Sequence, residues 1–246
     1  MDCFVAMLLA MTVKASNDRH CEERSDVAIH SGDNMIKAII FDMDGVILDS
    51  ETISDKTWKI AQDEMDVTTD QDYINMCRGS NRNDTLQILR KVFGQDFDSE
   101  AFLNRATVLF KMYEETDGIP LMPYARQILE YLKPQYRLAL ASSTNGGAVE
   151  RQLTNAGVID FFETRTTGEM VEHSKPDPEI YLMACRSLGL EPEQCVAVED
   201  SANGIKSAAA AGLKVIMVPD KIAPTPEIEA LCWKICTTLK NLEEFL

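Results

Sequence analysis

Three carboxylates fall within eight positions of AIIFDMDGVILDSE, residues 38–51: Asp42, Asp44 and Asp49. The four residues before Asp42 are apolar, and residues 37–41 read as a short buried strand that aims acids at its carboxyl end. Asp42 and Asp44 are two positions apart, so on extended backbone both side chains share one face. Gly45 then lets the chain turn away. A close pair of carboxylates can divide the roles of nucleophile and acid/base if a cation keeps the first ionised. Three further segments carry groups suited to the same chemistry. Ser142, which opens Ser142-Ser143-Thr144-Asn145, offers a hydroxyl and a backbone N–H beside a helix start, a cradle for phosphate oxygens. Lys175 is a compact positive charge that can offset carboxylates and a phosphoryl group. Glu199-Asp200 supplies hard oxygen ligands for Mg²⁺.

Taken singly, each segment has an ordinary explanation. Asp-x-Asp-Gly is often a turn, and it echoes part of a calcium loop, which would need a further oxygen ligand before the glycine and a closing Glu. Val46-Ile47-Leu48 and the preceding strand speak against that loop. Ser-Ser-Thr-Asn after a strand is commonly a helix cap, and Glu-Asp before an alanine-rich helix is commonly placed there by the helix dipole. Asp49 reads as a cap for the segment that follows. What lifts the set above these explanations is its order, with each member at the end of a strand or in a capped loop.

The rest of the chain must bring these segments to one edge. From about residue 54 to 118 the apolar period is helical: Trp58, Ala61 and Met65, then Phe102, Ala106, Leu109 and Tyr113. No strand-like run interrupts it, and Gly118-Ile119-Pro120 ends it. Trp58 lies on the apolar stripe and reads as part of a helical core. Beyond, strands and helices alternate. A helix carries Ala125, Ile128, Leu129 and Leu132; a strand covers 137–141; a helix carries Val149, Leu153 and Ala156. Asp177-Pro178 reads as the capped start of a helix that Gly189 ends. A strand at 195–198, an alanine-rich helix at 202–211 closed by Gly212 and a strand at 214–218 complete the pattern. Such alternation predicts a doubly wound, Rossmann-like parallel sheet, with apolar runs for strands buried on both faces. Ligands of such sheets bind at the carboxyl ends of the strands.

The bulk properties narrow the partners. The chain has 246 residues, 45% hydrophobic and 26% charged, with a formal net charge of −16. It is strongly acidic and has no Lys/Arg cluster, which argues against nucleic acid as a ligand. No stretch is long enough to span a membrane. Seven cysteines, an odd number with no Cys-x-x-Cys pair, fit reduced thiols in the cytoplasm, and the three histidines do not sit at zinc-ligand spacing with them. Residues 1–34 begin with a short apolar run that resembles a signal peptide, yet Asp2 stands where a positive residue is expected and the following stretch is polar. The reading adopted is an extension or an over-called start, with the domain opening at Met35.

At this point the sequence resembles the haloacid dehalogenase superfamily of phosphohydrolases, from about Met35 to the C-terminus. FDMDGVILDSE looks like the first family motif, ALASST the second, SKPDPEIY the third and VEDSANGI the fourth. The resemblance implies a core formed by residues 35–52 and 119–246, with a small all-helical cap, 53–118, inserted after the first strand. It implies Asp42 as the nucleophile and Asp44 as the acid that protonates the leaving alkoxide and then activates water. Ser142 and Lys175 would hold the phosphoryl oxygens. Mg²⁺ would sit between the Asp42 carboxylate, the Asp44 backbone carbonyl and Asp200, with Glu199 in support. Ser143, Asn145, Glu51 and Arg82 join Ser142 and Lys175 as substrate- and phosphate-binding candidates; for Arg82 a solvated helix start is an equal reading. Within the family the chain looks closest to sugar-phosphate phosphatases and to beta-phosphoglucomutase. Mutases commonly carry a His early in the cap and a Lys-Asn pair after the second motif, where this chain has Ser54 and Asn145-Gly146. The expectation is therefore a monomeric Mg²⁺-dependent phosphatase of a small phosphorylated metabolite, with a phosphomutase as the alternative. A non-catalytic phosphate-binding regulator stands further off because a binder has no need of both Asp42 and Asp44; a calcium-loop module would predict Ca²⁺ dependence and no turnover.

Overall fold

The computed structural model describes residues 35–77 and 82–246; the reading of residues 1–34 lies outside them. Among the described residues no helix is long and apolar enough to cross a membrane. The strands are β1 (Ala38–Phe41), β2 (Arg137–Ala141), β3 (Thr164–Thr166), β4 (Cys195–Glu199), β5 (Lys214–Met217) and β6 (Lys234–Ile235). They form one sheet in the order β3-β2-β1-β4-β5-β6, and every pairing is parallel. The helices are α1 (Ser50–Glu64), α2 (Tyr73–Cys77), α3 (Arg82–Phe93), α4 (Ser99–Thr116), α5 (Ala125–Leu132), α6 (Gly146–Asn155), α7 (Glu179–Leu188), α8 (Ala202–Ala210) and the short α9 (Pro226–Glu229).

The apolar strand runs follow from burial on both faces. Successive strand side chains point to opposite sides. Ile39 and Phe41 of β1, Leu138 and Leu140 of β2, and Val196 and Val198 of β4 pack into one cluster with Ile128, Leu129 and Leu132 of α5 and Val149 and Leu153 of α6. Ala38 and Ile40, Ala139 and Ala141, and Cys195 and Ala197 pack on the other side with Ile180, Tyr181 and Ala184 of α7 and Ile205 and Ala208 of α8. Small residues dominate the second set of strand positions, which brings α7 and α8 close to the sheet. The order places β1 between β2 and β4, so the chain leaves it in both directions and opens a crevice at its carboxyl end, where a ligand site is expected.

Helices α1 to α4 lie between β1 and α5 and have an apolar cluster of their own, built on Ala61, Tyr73, Leu89, Phe102 and Leu109. Trp58 stacks on Tyr73 at 6.2 Å between ring centroids and meets Phe102 edge-on at 5.5 Å. Asp49 caps α1 by accepting from Thr52 N at 3.3 Å, so this helix starts at Ser50, inside the stretch the sequence assigns to the core. Two strands have no counterpart in the sequence reading. β3 is three residues with a polar TRT sequence, and β6 is two residues, so neither produces an apolar run. At the start of α7 the cap position is Pro178, one residue beyond Asp177, and the Asp177 carboxylate accepts from Glu179 N at 3.0 Å.

Candidate active site

The site grows from the end of β1. Asp42 N donates to Val198 O of β4 at 2.9 Å, which extends the sheet ladder by one residue and places Asp42 over the crevice. The chain then turns tightly: Ile47 N and Leu48 N both donate to Met43 O, and Gly45 N donates to Leu48 O, each at 2.9 Å. Met43, Val46, Ile47 and Leu48 are all buried. The apolar residues between the acids thus anchor the turn in the core, leaving Asp42 and Asp44 at its mouth. Gly45 has φ +75°, and a Cβ there would overlap the Asp200 carboxylate. Both facts demand glycine. Gly204 has a similar role, since a Cβ on it would overlap the carboxylate of Glu199.

Lys175 joins the segments. Its Nζ donates to Asp42 Oδ1 at 2.5 Å, to Glu199 Oε1 at 2.7 Å and to Ala141 O, the last residue of β2, at 3.1 Å. The three donors of the ammonium therefore span the ends of three adjacent strands. Tyr181 O–H also donates to Glu199 Oε1 at 2.8 Å, and Lys175 lies 5.1 Å from the centroid of the Tyr181 ring. On the other oxygen, Glu199 Oε2 accepts from Asp200 N, Ser201 N and Ser201 Oγ at 3.1–3.3 Å. Five donors occupy this fully buried carboxylate. Its place in the site is to hold Lys175 on one side and the Asp200-Ser201 turn on the other. Carboxylate oxygens of Asp42, Glu199 and Asp200 lie within 4.8 Å of one another.

Asp44 turns elsewhere. Its Oδ1 accepts from Ser50 Oγ at 2.7 Å; its Oδ2 accepts from Thr144 Oγ1 at 2.9 Å and from Ser142 Oγ at 3.5 Å. Ser142 Oγ in turn accepts from Thr144 N at 3.1 Å. Three hydroxyls thus orient the carboxylate that the resemblance casts as acid/base. Ser50, Thr144 and Tyr181 are residues of this site that sequence reasoning gave no part. Thr144 and Ser50 lie within quoted motifs, but only the fold sets their hydroxyls against Asp44.

The remaining candidates separate. Asn145 caps α6, accepting from Ala148 N at 3.0 Å. Ser143 is exposed beside them. Glu51 lines a pocket of about 200 Å³ together with Asp200 and Lys221. Lys221 reaches back to α1, donating to Thr52 Oγ1 at 2.9 Å. Arg82 is not brought to the site: its guanidinium pairs with Glu100 at 2.5 Å and with Asn104 at 3.3 Å, both on α4. The helix-surface reading accounts for it in this structure.

The charges do not balance. Three carboxylates meet one ammonium in a buried setting. Burial, with Glu199 and Asp44 adding to it against the pull of Lys175, pushes Asp42 up to about 8. Burial and the neighbouring Glu199, Asp42 and Glu51 push Asp200 well above the ordinary carboxylate range. Burial opposes the charge on Lys175, but Asp42 and Glu199 outweigh it and hold the ammonium above its usual range. A set of hard oxygen donors that cannot all ionise without further positive charge fits a hard divalent cation. Asp42 and Asp200 are the carboxylates free to hold one, given how fully Glu199 is engaged. The other acidic group, His173, Asp177 and Glu179, is different in kind. There Glu179 accepts from the backbone N–H groups of Glu172 and His173 and ties down the loop that carries Lys175.

Comparison with known proteins places the chain in a family. The family profile of the haloacid dehalogenase-like hydrolases matches residues 39–218. Hexitol phosphatase B of Escherichia coli K12 is 32% identical over 195 residues, which is 75% of this chain and 84% of that protein. Beta-phosphoglucomutase of Bacillus subtilis is 29% identical over 192 residues, 74% of this chain and 83% of that protein. Among solved structures, CbbY from Rhodobacter sphaeroides in complex with phosphate superposes with a TM-score of 0.68 at 25% identity, covering 85% of this chain and 96% of that one.

Proposed function

Since the chain belongs to the haloacid dehalogenase-like hydrolase family, we propose that it is a Mg²⁺-dependent phosphatase that hydrolyses a small sugar phosphate through an aspartyl-phosphate at Asp42. The observation that carries this is the division of the two carboxylates. Asp42 is gripped by Lys175 beside Glu199 and Asp200, while Asp44 is held by three hydroxyls.

In the first step an Asp42 oxygen attacks phosphorus and the bond from phosphorus to the ester oxygen breaks. Asp44 donates its proton to the leaving alkoxide, so a neutral alcohol departs. In the second step Asp44 takes a proton from water as that water attacks the phosphorus of the aspartyl-phosphate. Inorganic phosphate leaves and Asp42 is restored. Lys175 offsets the charge on Asp42 and on the phosphoryl oxygens throughout. Ser50 and Thr144 keep Asp44 turned toward the leaving group; Ser142 N already donates to Thr166 O and Thr144 N to Ser142 Oγ, so the Ser142 hydroxyl and the Ser143 backbone N–H are the candidates for phosphoryl oxygens. Asp42 and Asp200 would hold Mg²⁺, with the Asp44 backbone carbonyl as the further ligand the family resemblance implies; the ion would supply the positive charge that keeps Asp42 ionised. The five described cysteines are all free, which supports a reducing, cytoplasmic setting.

The cation assignment predicts a pH-dependent gain in stability. Asp42 is raised to about 8 from an ordinary 3.8. Its protonated form therefore favours the fold, in full below about pH 4, and that contribution is lost as pH rises through about 8. A bound cation reverses this, because it needs the ionised form. At a hundredfold excess over Kd, Mg²⁺ should add about 2.7 kcal/mol, roughly 5–10 °C in thermal midpoint for a domain of this size. The gain over a chelator control should be larger at pH 8 than at pH 5. Equal gains at both would remove Asp42 from the ligand set.

A phosphomutase is the second reading, and the relative named beta-phosphoglucomutase is the observation in its favour. The deciding experiment is phosphate release from a panel of sugar phosphates with Mg²⁺, run beside a coupled assay for conversion of beta-glucose 1-phosphate to glucose 6-phosphate. Release without isomerisation is expected. Isomerisation with little release would replace the phosphatase by the mutase.

A further inference from the structure

Glu199 is held where it cannot give way. It is fully buried, its Oε2 is bonded by Asp200 N, Ser201 N and Ser201 Oγ, and Gly204 approaches so closely that a Cβ there would overlap the carboxylate. Its other oxygen is shared. Lys175 Nζ donates to Oε1 at 2.7 Å and the Tyr181 hydroxyl donates to it at 2.8 Å. How strongly Glu199 holds Lys175 therefore depends on the tyrosine as well.

Tyr181 is itself fully buried, packed on the same side of the sheet as Ile40 and Ala197. Phenylalanine would serve that packing equally; what the tyrosine adds is one hydroxyl proton, and it goes to Glu199. Burial, with Glu199 beside it, holds the phenol well above its ordinary range, so it remains a donor at neutral pH. The Lys175 ammonium lies 5.1 Å from the ring centroid, within reach of the ring face, and a phenylalanine would keep that contact.

Lys175 has no proton to spare. Its three donors go to Asp42 Oδ1, Glu199 Oε1 and Ala141 O. To offset a phosphoryl oxygen the ammonium must release one acceptor. Ala141 O belongs to β2 and Glu199 is locked in place. Asp42 is the acceptor that weakens, because attack on phosphorus turns its carboxylate into a neutral acyl group. The N–H that faced Asp42 can then turn to the phosphoryl group, provided Glu199 does not draw the ammonium back. An anionic oxygen that serves two donors pulls on each less than one that serves a single donor.

Resting on the phosphatase reading, we propose that Tyr181 is a positioning residue for the reaction: its hydroxyl takes up part of the charge on Glu199 Oε1, which leaves Lys175 able to turn from Asp42 to the phosphoryl oxygens.

The test is Tyr181→Phe, assayed with Mg²⁺ on the sugar phosphate that the wild type hydrolyses fastest. Its kcat should fall about tenfold, near the lower end of what a hydrogen bond to a charged group is worth, with KM within about twofold. The thermal midpoint should fall by only about 2–4 °C. A structural role alone would show that fall and leave kcat unmoved. In a Lys175→Met background the same substitution should cost no more than about twofold, because Tyr181 acts through the lysine. Site-specific 3-fluorotyrosine at position 181, a stronger donor in nearly the same space, should raise kcat above wild type; this arm does not depend on turnover by the Lys175 variant. An unchanged kcat in Tyr181→Phe would overturn the inference alone. So would a tenfold loss that persists without the lysine, or a fall in kcat with fluorotyrosine. No phosphate release from any ester by the wild type would defeat the phosphatase reading and this inference with it.

Discussion

Asp42→Asn should release no measurable phosphate, a loss of about ten-thousandfold or more in kcat, as removal of an attacking group costs. The carboxamide keeps the shape of the acid but offers no anionic oxygen to phosphorus. The fold should survive. Asp42 is buried, and its environment already pushes the acid up to about 8, so a neutral side chain is what the metal-free site prefers near pH 7. Where Asp42 does ionise, above about pH 8, asparagine also removes one of the like charges beside Asp200. What it gives up is the charge on one of the three acceptors of Lys175. The expected result is therefore a thermal midpoint close to wild type without metal, a reduced response to Mg²⁺, and no turnover in a single-turnover assay. Turnover that still depends on metal in this variant would rule out an aspartyl nucleophile at position 42.

How much of this was legible beforehand depended on whether the signal was local. β1, β2, β4 and β5 announce themselves because burial on both faces demands unbroken apolar runs. β3 and β6 carry no such run, since a short edge strand is held by its neighbour's backbone and needs little side-chain packing. Asp42, Lys175, Glu199 and Asp200 were legible as a set because each stands at a strand end or in a capped loop, where the topology of a parallel sheet gathers ligands. The partners of Asp44 were not. Ser50 is six residues away and Thr144 a hundred, and a hydroxyl at a helix start reads as a cap until the fold shows which way it turns. Tyr181 is similar: it belongs to the apolar stripe of α7, and only its phenolic oxygen, at the far end, meets Glu199. Arg82 had two equal readings, and its pairing with Glu100 and Asn104, one helix away, is a contact that a motif match says nothing about.

Lys175→Ala should cost on the order of a hundredfold or more in kcat/KM, the scale of losing a preorganised charge at the reacting centre. The same substitution should destabilise the protein, and the two effects have one origin. The Lys175 side chain is 8% exposed and bonds two carboxylates that are as deeply buried. Without it, Asp42 and Glu199 would face each other with no cation between them, and breaking a buried pair by removing one partner costs about 3–5 kcal/mol. Asp42 can escape its share of that cost by taking up a proton, which makes the penalty depend on pH. Asp42 is already raised to about 8 with the lysine in place, and loses its main counter-charge without it. The penalty should therefore be smaller below pH 6 than at pH 7, and the gap should widen toward pH 9. Lys175→Met separates charge from packing: it fills the space left by the stem and should recover little of either loss. Mg²⁺ should narrow the stability gap at pH 8, because a cation held by Asp42 and Asp200 relieves the same repulsion, yet it should not restore turnover, since the phosphoryl oxygens still lack their lysine. A fall in kcat/KM below about threefold would mean that Lys175 only holds Asp42 and Glu199 together and has no part in the reaction.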